Sequence, residues 1–271
     1  MSDPLKALDA LGQLPDAELD LADAALQLAR TSLPGADWKA ARAHLSALAR
    51  DAAYLGAEGV EGRARALATL LAGRHGYRGD SETYDDLANA NLIRVIERRR
   101  GLPVALGILW LHAARAAGWE AHGLDFPGHF LIGLTAAGRQ VAVDPFDGGA
   151  VLDAPALRAL VKRIEGPGSE LRPGLLRAVG NRPVLLRLQN NIKLRLLRAG
   201  DVAGALECTE QMLRLAPAAP TPWREAALMR ERLGLVGAAI SAWEQFIALV
   251  PEGELASKAQ DAVAALRAKL N

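Results

Sequence analysis

The sequence predicts an α+β chain in three parts: a helical subdomain over residues 1–80, a small core with an antiparallel sheet over 81–165, and helical repeats over 184–271 reached through a linker at 166–183. Three observations predict it. Ala- and Leu-rich segments with charges at helical spacing fill the first 80 residues. Two short apolar runs flank a turn in FPGHFLIGLTAAGRQVAVDPFDGG, residues 126–149. Five residues near the C terminus recur with a spacing of 34.

The N-terminal segments LDLADAALQLAR, ADWKAARAHLSALARDAAYL and VEGRARALATLLAGRHG each read as an amphipathic helix, with breaks at TSLPG and GAEG. Nothing in them suggests chemistry. A further helix is expected from about Ala88 to the run Arg98, Arg99, Arg100, with Gly101 as the residue just past its end. The arginines read as a solvated helix end rather than a nucleic-acid patch. Pro103 suits the first turn of the next helix, where its missing N–H would have no partner anyway, and that helix runs through Trp110 to about Ala117 and stops at Gly118.

HFLIGL and QVAVD then read as the strands of a hairpin around TAAGR. A turn centred on Ala136 and Ala137 would set His129 opposite Asp144, with side chains on one face and close enough to touch. Such a pair is either a structural tie at a strand end or a base with its orienting acid. Residues 166–183, GPGSELRPGLLRAVGNRP, carry the Gly and Pro density of a linker. Beyond it Gly200, Ala205, Met212, Leu213 and Pro217 return as Gly234, Ala239, Phe246, Ile247 and Pro251. Small residues at a helix crossing, a large apolar residue seven positions on and a closing Pro resemble the tetratricopeptide repeat, present twice, with ELASKAQDAVAALRAKL as a capping helix. Such repeats offer a groove for a peptide or partner protein, or act as a helical buttress.

Composition narrows the possible functions. With 32 Lys and Arg against 31 Asp and Glu the net charge is +1, so no global field draws nucleic acid or an anionic membrane. The start MSDPLKALDA lacks a basic segment leading into an apolar one, and the most apolar run, LPVALGILWL, is too short to span a bilayer, so the chain reads as cytoplasmic. One cysteine, Cys208, excludes an internal disulfide and a multi-cysteine metal site. His112, His122, His129 and Asp125 match no standard zinc spacing, and no phosphate loop or dinucleotide fingerprint is present, so neither metal nor cofactor is expected. Trp110, Trp119, Trp223 and Trp243 read as packing aromatics.

The order of a helix from Pro103, a strand with His129 and a strand ending at Asp144 resembles the core of transglutaminase-like and papain-like cysteine hydrolases. There the nucleophile lies at the helix N terminus, where free N–H groups lower a thiol's pKa and hold an oxyanion. The resemblance puts Gly101, Gly107 and Gly118 on the family's small-residue positions and Pro103 where its cysteine belongs. Between Tyr84 and Gly168 there is no Cys or Ser, and the only Thr is Thr135 in the hairpin. With RRRGLPVAL, PGHF and DPFDGG, the chain from about Asp37 onward resembles the SirB-type branch of the transglutaminase-like superfamily, whose members carry Gly-Leu/Ile-Pro in place of the thiol.

By position the resemblance implies a remnant pair of His129 and Asp144. Around it the resemblance implies a cleft framed by Phe126, Pro127, Gly128, Phe130, Pro145 and Phe146, with Pro103 and Val104 at the helix start. An intact His–Asp pair beside an absent thiol points to a non-catalytic or catalytically degenerate protein that recognises a peptide, protein or small ligand through this cleft and the repeats. The alternative is a hydrolase in which His129, oriented by Asp144, activates water, with the N–H groups of Val104 and Ala105 as the oxyanion site.

Overall fold

The computed structural model describes residues 3–172 and 174–269. In chain order its first elements are α1 (Pro4–Gln13), α2 (Leu21–Ser32), α3 (Trp38–Ala53), α4 (Gly59–Ala68), β1 (Arg78–Gly79), α5 (Leu92–Arg98), β2 (Arg100–Gly101), α6 (Pro103–Ala116) and β3 (Glu120–Leu124). There follow β4 (Leu131–Ala136), β5 (Arg139–Asp144), β6 (Ala150–Leu152), α7 (Ala154–Glu165), β7 (Ala178–Val179), α8 (Asn181–Arg198), α9 (Val202–Leu215), α10 (Pro220–Arg232), α11 (Val236–Leu249) and α12 (Glu254–Ala268). The class is α+β, as the sequence predicts. Two compact units result, one of residues 15–188 and one that joins the residues up to Leu14 to those from Gln189 onward.

Local chemistry explains the helix starts. Asp20, Asp37, Asn91, Asp153 and Asp201 each accept a backbone N–H of the first turn at the head of α2, α3, α5, α7 and α9. α6 has no such cap, and its first residue is Pro103, with Leu102 extended before it as a proline requires.

In the first unit β6-β5-β4-β3-β7 form one antiparallel sheet. One side of it takes α6, whose residues Pro103–Leu111 are all buried. A helix that is apolar all round has to be interior, and α6 is packed by α2, α3, α4 and α5 besides β3 and β4. A tight approach falls at Gly107, where a Cβ would collide with the ring of Phe130. A second cluster, with Leu124, Phe126, Leu131, Leu157, Leu160 and Val161, packs α7 onto the sheet.

Four expectations need correcting. First, α5 starts at Leu92, not near Ala88, and Gly101 does not terminate it. The left-handed residue is Arg99 (φ 57°), and Arg100 and Gly101 leave the helix to pair in parallel with Arg78 and Gly79. A side chain in that conformation needs support. Arg99 has it: its guanidinium donates to the hydroxyl of buried Tyr77 at 2.5 Å and lies 2.7 Å from Nε2 of His44. Nor is the arginine run simply solvated, since Arg98 donates to Asp80 (2.9 Å), whose side chain is 1 % exposed, and Arg100 to Glu82 (3.0 Å).

Second, the hairpin turns one residue later than expected, on Ala137 and Gly138, both with positive φ, the geometry of a two-residue turn that matches strand twist. Ile132 therefore pairs with Val143, and His129 lies before β4 rather than opposite Asp144. Third, residues 166–183 are not only a linker, because Ala178–Val179 return to the sheet as its edge strand beside β3. Fourth, α1 belongs with the repeats and not with the N-terminal helices.

In the second unit α8 from Gln189 on, α9, α10 and α11 form successive helical hairpins and α12 follows them. Fully buried Ala205, Ala226, Ala227, Ala239, Ala242 and Ala259 let the axes approach, and Met229, Trp243 and Phe246 fill the spaces between. Ala205 and Ala239 are the repeat-related pair that predicted such a crossing. α1 lies along α9, where Gly12 meets the backbone carbonyl of Arg214 and Asp9 pairs with the Arg214 guanidinium at 2.7 Å.

Two predictions follow from these contacts. Gly12→Ala gains about 1 kcal/mol of helix propensity but places a methyl against the Arg214 carbonyl, an overpacking that costs about 1–3 kcal/mol. The expected result is a lower Tm with faster amide exchange along α1, and a raised Tm would show the contact to be loose. His44 is held to a pKa of about 4, below the ordinary 6.5 of an imidazole, by burial first and then by Arg99 and His75, against Asp51. The unfolded chain therefore takes up the proton first as pH falls, so the contribution of neutral His44 is complete above 6.5 and lost toward 4. His44→Gln should flatten the fall of Tm across that interval, and an unchanged slope would remove His44 as its source.

Candidate functional site

Asp144 ends β5, and Pro145 turns the chain away. Its Oδ1 accepts the backbone N–H groups of Phe146 (2.9 Å) and Asp147 (3.4 Å), which leaves Oδ2 for Nε2 of His129 at 2.8 Å. The histidine arrives from the bend between β3 and β4, where Gly128 has φ 62° and faces Ile164 of α7. The two residues are thus joined as the sequence suggested, but by a bend reaching a strand end and not by cross-strand register. Their side chains are only 11 % and 7 % exposed.

Neighbours fix the ring in place. Phe146 stands edge-on to the imidazole, 6.0 Å between centroids, and Tyr84 stands edge-on to Phe146 at 5.9 Å. The Phe146 carbonyl accepts the N–H of Gly79 (3.1 Å), and Gly79 pairs with Gly101, two residues ahead of Pro103. The turn after Asp144 and the head of α6 are therefore tied through one short backbone relay. Arg187 of α8 holds the loop from its other side, donating through Nη2 to the carbonyls of Phe126 (2.9 Å) and His129 while its guanidinium lies 5.7 Å from the Phe130 ring centroid. Burial pulls the pKa of Arg187 down, opposed by Asp125 and Tyr84.

Most of the expected frame is buried. Pro103 and Val104 are buried in α6, Phe126 (0 %) lies in the α7 cluster, and Phe130 (1 %) is pressed against Gly107. Phe146, half-buried, stands edge-on to the imidazole, and of the two residues before the histidine Pro127 is half-buried and Gly128 exposed. The reason is size and place: a phenyl ring on either side of a strand end goes to whichever hydrophobic layer is nearest. Sequence reasoning missed Tyr84 and Arg187. Tyr84 lies in the irregular stretch before α5, and Arg187 looked like one more charge on a repeat helix, so neither had a periodicity to mark it.

The rest of the chemistry lies elsewhere. Cys208 is buried in α9, its Sγ donates to the backbone and side-chain oxygens of Gln189 (3.3 and 3.0 Å), and burial pushes its pKa up to about 12 against the pull of Lys193. A thiol in that state is not a nucleophile near neutral pH. His112 bonds the Leu45 carbonyl (3.0 Å) and His122 the Gln140 side chain (3.0 Å), so neither joins His129. Among the described residues no cluster of His, Cys, Asp or Glu could hold a metal ion, and no helix is long and apolar enough to cross a membrane.

Comparison with known proteins follows the division of the chain. The model of the transglutaminase-like superfamily matches residues 39–190, and that of the tetratricopeptide repeat matches 192–267. A UPF0162 protein of Vibrio cholerae is 30 % identical over 92 % of this chain and 93 % of its own length. The UPF0162 protein PA3419 of Pseudomonas aeruginosa is 31 % identical over 79 % of this chain and 78 % of its own. Among solved structures, menin covers 95 % of this chain and 73 % of its own at 10 % identity and a TM-score of 0.42, too distant to carry a conclusion. A match over more than half its length, joined to these relatives, makes this chain a member of the transglutaminase-like superfamily, of the UPF0162 kind with C-terminal tetratricopeptide repeats.

Proposed function

We propose that this protein is a catalytically degenerate member of its superfamily that acts by binding a protein or peptide, as a regulatory module and not as an acyl-transfer enzyme. One observation carries the reading: the first residue of α6, where the resemblance expects a thiol, is buried Pro103. A His–Asp pair without a nucleophile cannot form an acyl-enzyme. The burial of Cys208 and the small exposure of His129 support the same reading. Tetratricopeptide helices add a surface of the kind that takes peptides.

The second reading, hydrolysis by water activated at His129, has the 2.8 Å bond to Asp144 in its favour. Against it stand Phe126 and Phe130, which flank the histidine in the chain and are packed into the core.

Activity and stability separate these readings. Purified protein given a nitrophenyl ester and a glutamine-donor peptide with a labelled amine is expected to show no turnover above the uncatalysed rate, and His129→Ala should match wild type. Turnover abolished by His129→Ala would overturn the proposal in favour of the hydrolase. Asp144→Asn is expected to cost about 1–3 kcal/mol of stability, because a carboxylate accepting three donors is replaced by a group with one good acceptor. Denaturant titration reads that loss, and an unchanged midpoint would mean that the pair does not tie the strand end to the loop.

A further inference from the structure

Repeat helices α8 and α10 each present the same stripe. Asn190, Leu194 and Arg198 lie at intervals of four on α8, and Arg224, Leu228 and Arg232 lie at the positions 34 residues later on α10. Residues four apart share a helix face. Leu194 and Leu228 are 41 % and 52 % exposed, although the faces behind them are buried, with Lys193 on α8 and Ala226, Ala227 and Met229 on α10. Lys193 bonds Glu225 at 2.5 Å and so holds the two helices side by side.

The charges on this face are unbalanced. Arg198 and Arg232 are exposed and have no ion-pair partner among the described residues, and the buried Nε of Arg224 has no hydrogen-bond partner. The nearby acids are committed, Glu225 to Lys193 and Glu231 to the indole N–H of Trp243 at 2.5 Å. Two exposed leucines inside a frame of arginines on a chain of net charge +1 are a local feature, not an overall bias.

We infer that this stripe docks an acidic peptide segment of a partner protein, its apolar side chains on Leu194 and Leu228 and its carboxylates on Arg198, Arg224 and Arg232. This rests on the reading of the chain as a binding protein and names the chemistry of what is bound. A guanidinium presents a fork of donors matched to a carboxylate, and leucine gives area without a polar demand. Acidic residues alone would not use the leucines, and an apolar segment alone would leave the arginines without partners.

The test is fluorescence anisotropy of a labelled synthetic Glu-Leu peptide with the full chain, beside a Lys-Leu peptide and a Glu-Gln peptide. Expected are saturable binding of the Glu-Leu peptide alone, weakened by added salt, and a loss of at least about tenfold in both the Leu194→Gln/Leu228→Gln and the Arg198→Glu/Arg232→Glu proteins. The substituted side chains are exposed, and circular dichroism confirms that each variant is folded. No binding of the Glu-Leu peptide, equal binding of either control peptide, or unchanged binding by either variant would overturn the inference. Ester turnover dependent on His129 would remove the reading beneath it without altering the titration, so the two failures are distinguishable.

Discussion

The packing of α6 against the sheet governs the first unit. This helix is buried almost from end to end, and it reaches the strands only because Gly107 leaves room for Phe130. A methyl group there would drive the ring out or the helix off, and each large apolar side chain it buries is worth about 1.5–3 kcal/mol. Everything near the candidate site inherits its position from this contact. Phe130 follows His129 directly in the chain, so the ring that locks the helix also sets the height of the imidazole above Asp144.

This has a consequence for the missing thiol. In a cysteine hydrolase the head of such a helix must do two things, pack and present a nucleophile to substrate. Here it only packs. Pro103 supplies a preset φ and no N–H, Leu102 before it is fully buried, and the N–H of Leu102 is used by the carbonyl of Asn89 at 2.8 Å. The head of the helix has become part of the core. Asp144, in turn, keeps a structural task that needs no chemistry, because its carboxylate gathers two backbone N–H groups and the imidazole at a strand end that would otherwise fray.

What the sequence made legible was periodicity. The amphipathic helices, the apolar α6 and the spacing of 34 all rest on repeated residue classes, and the structure has helices in those places. Where one residue decided the outcome the reading slipped. The hairpin could turn on Ala136 and Ala137 or on Ala137 and Gly138, and the second wins because Gly138 takes positive φ at no cost, even though Ala137 must follow it there. The arginine run looked like a solvated end because the partners that hold Arg98 and Arg99, namely Asp80, Tyr77 and His44, are 18 to 55 residues away. The pairing of His129 with Asp144 was legible through the resemblance, while its true geometry and its neighbours Tyr84 and Arg187 depended on contacts no local pattern encodes.

The second unit shows how the same repeat chemistry serves stability on one face and leaves another open. Alanines at the crossings are fully buried, and α1 lies along α9, joined by Gly12 and the Asp9–Arg214 pair. Leucines that could have been polar at no cost to the core remain exposed at equivalent positions of two successive repeats. A solvated helix face selected only for solubility would carry charge at both positions. Leucine twice, with arginine one turn further on each time, is the repeated feature on which the inferred peptide site rests.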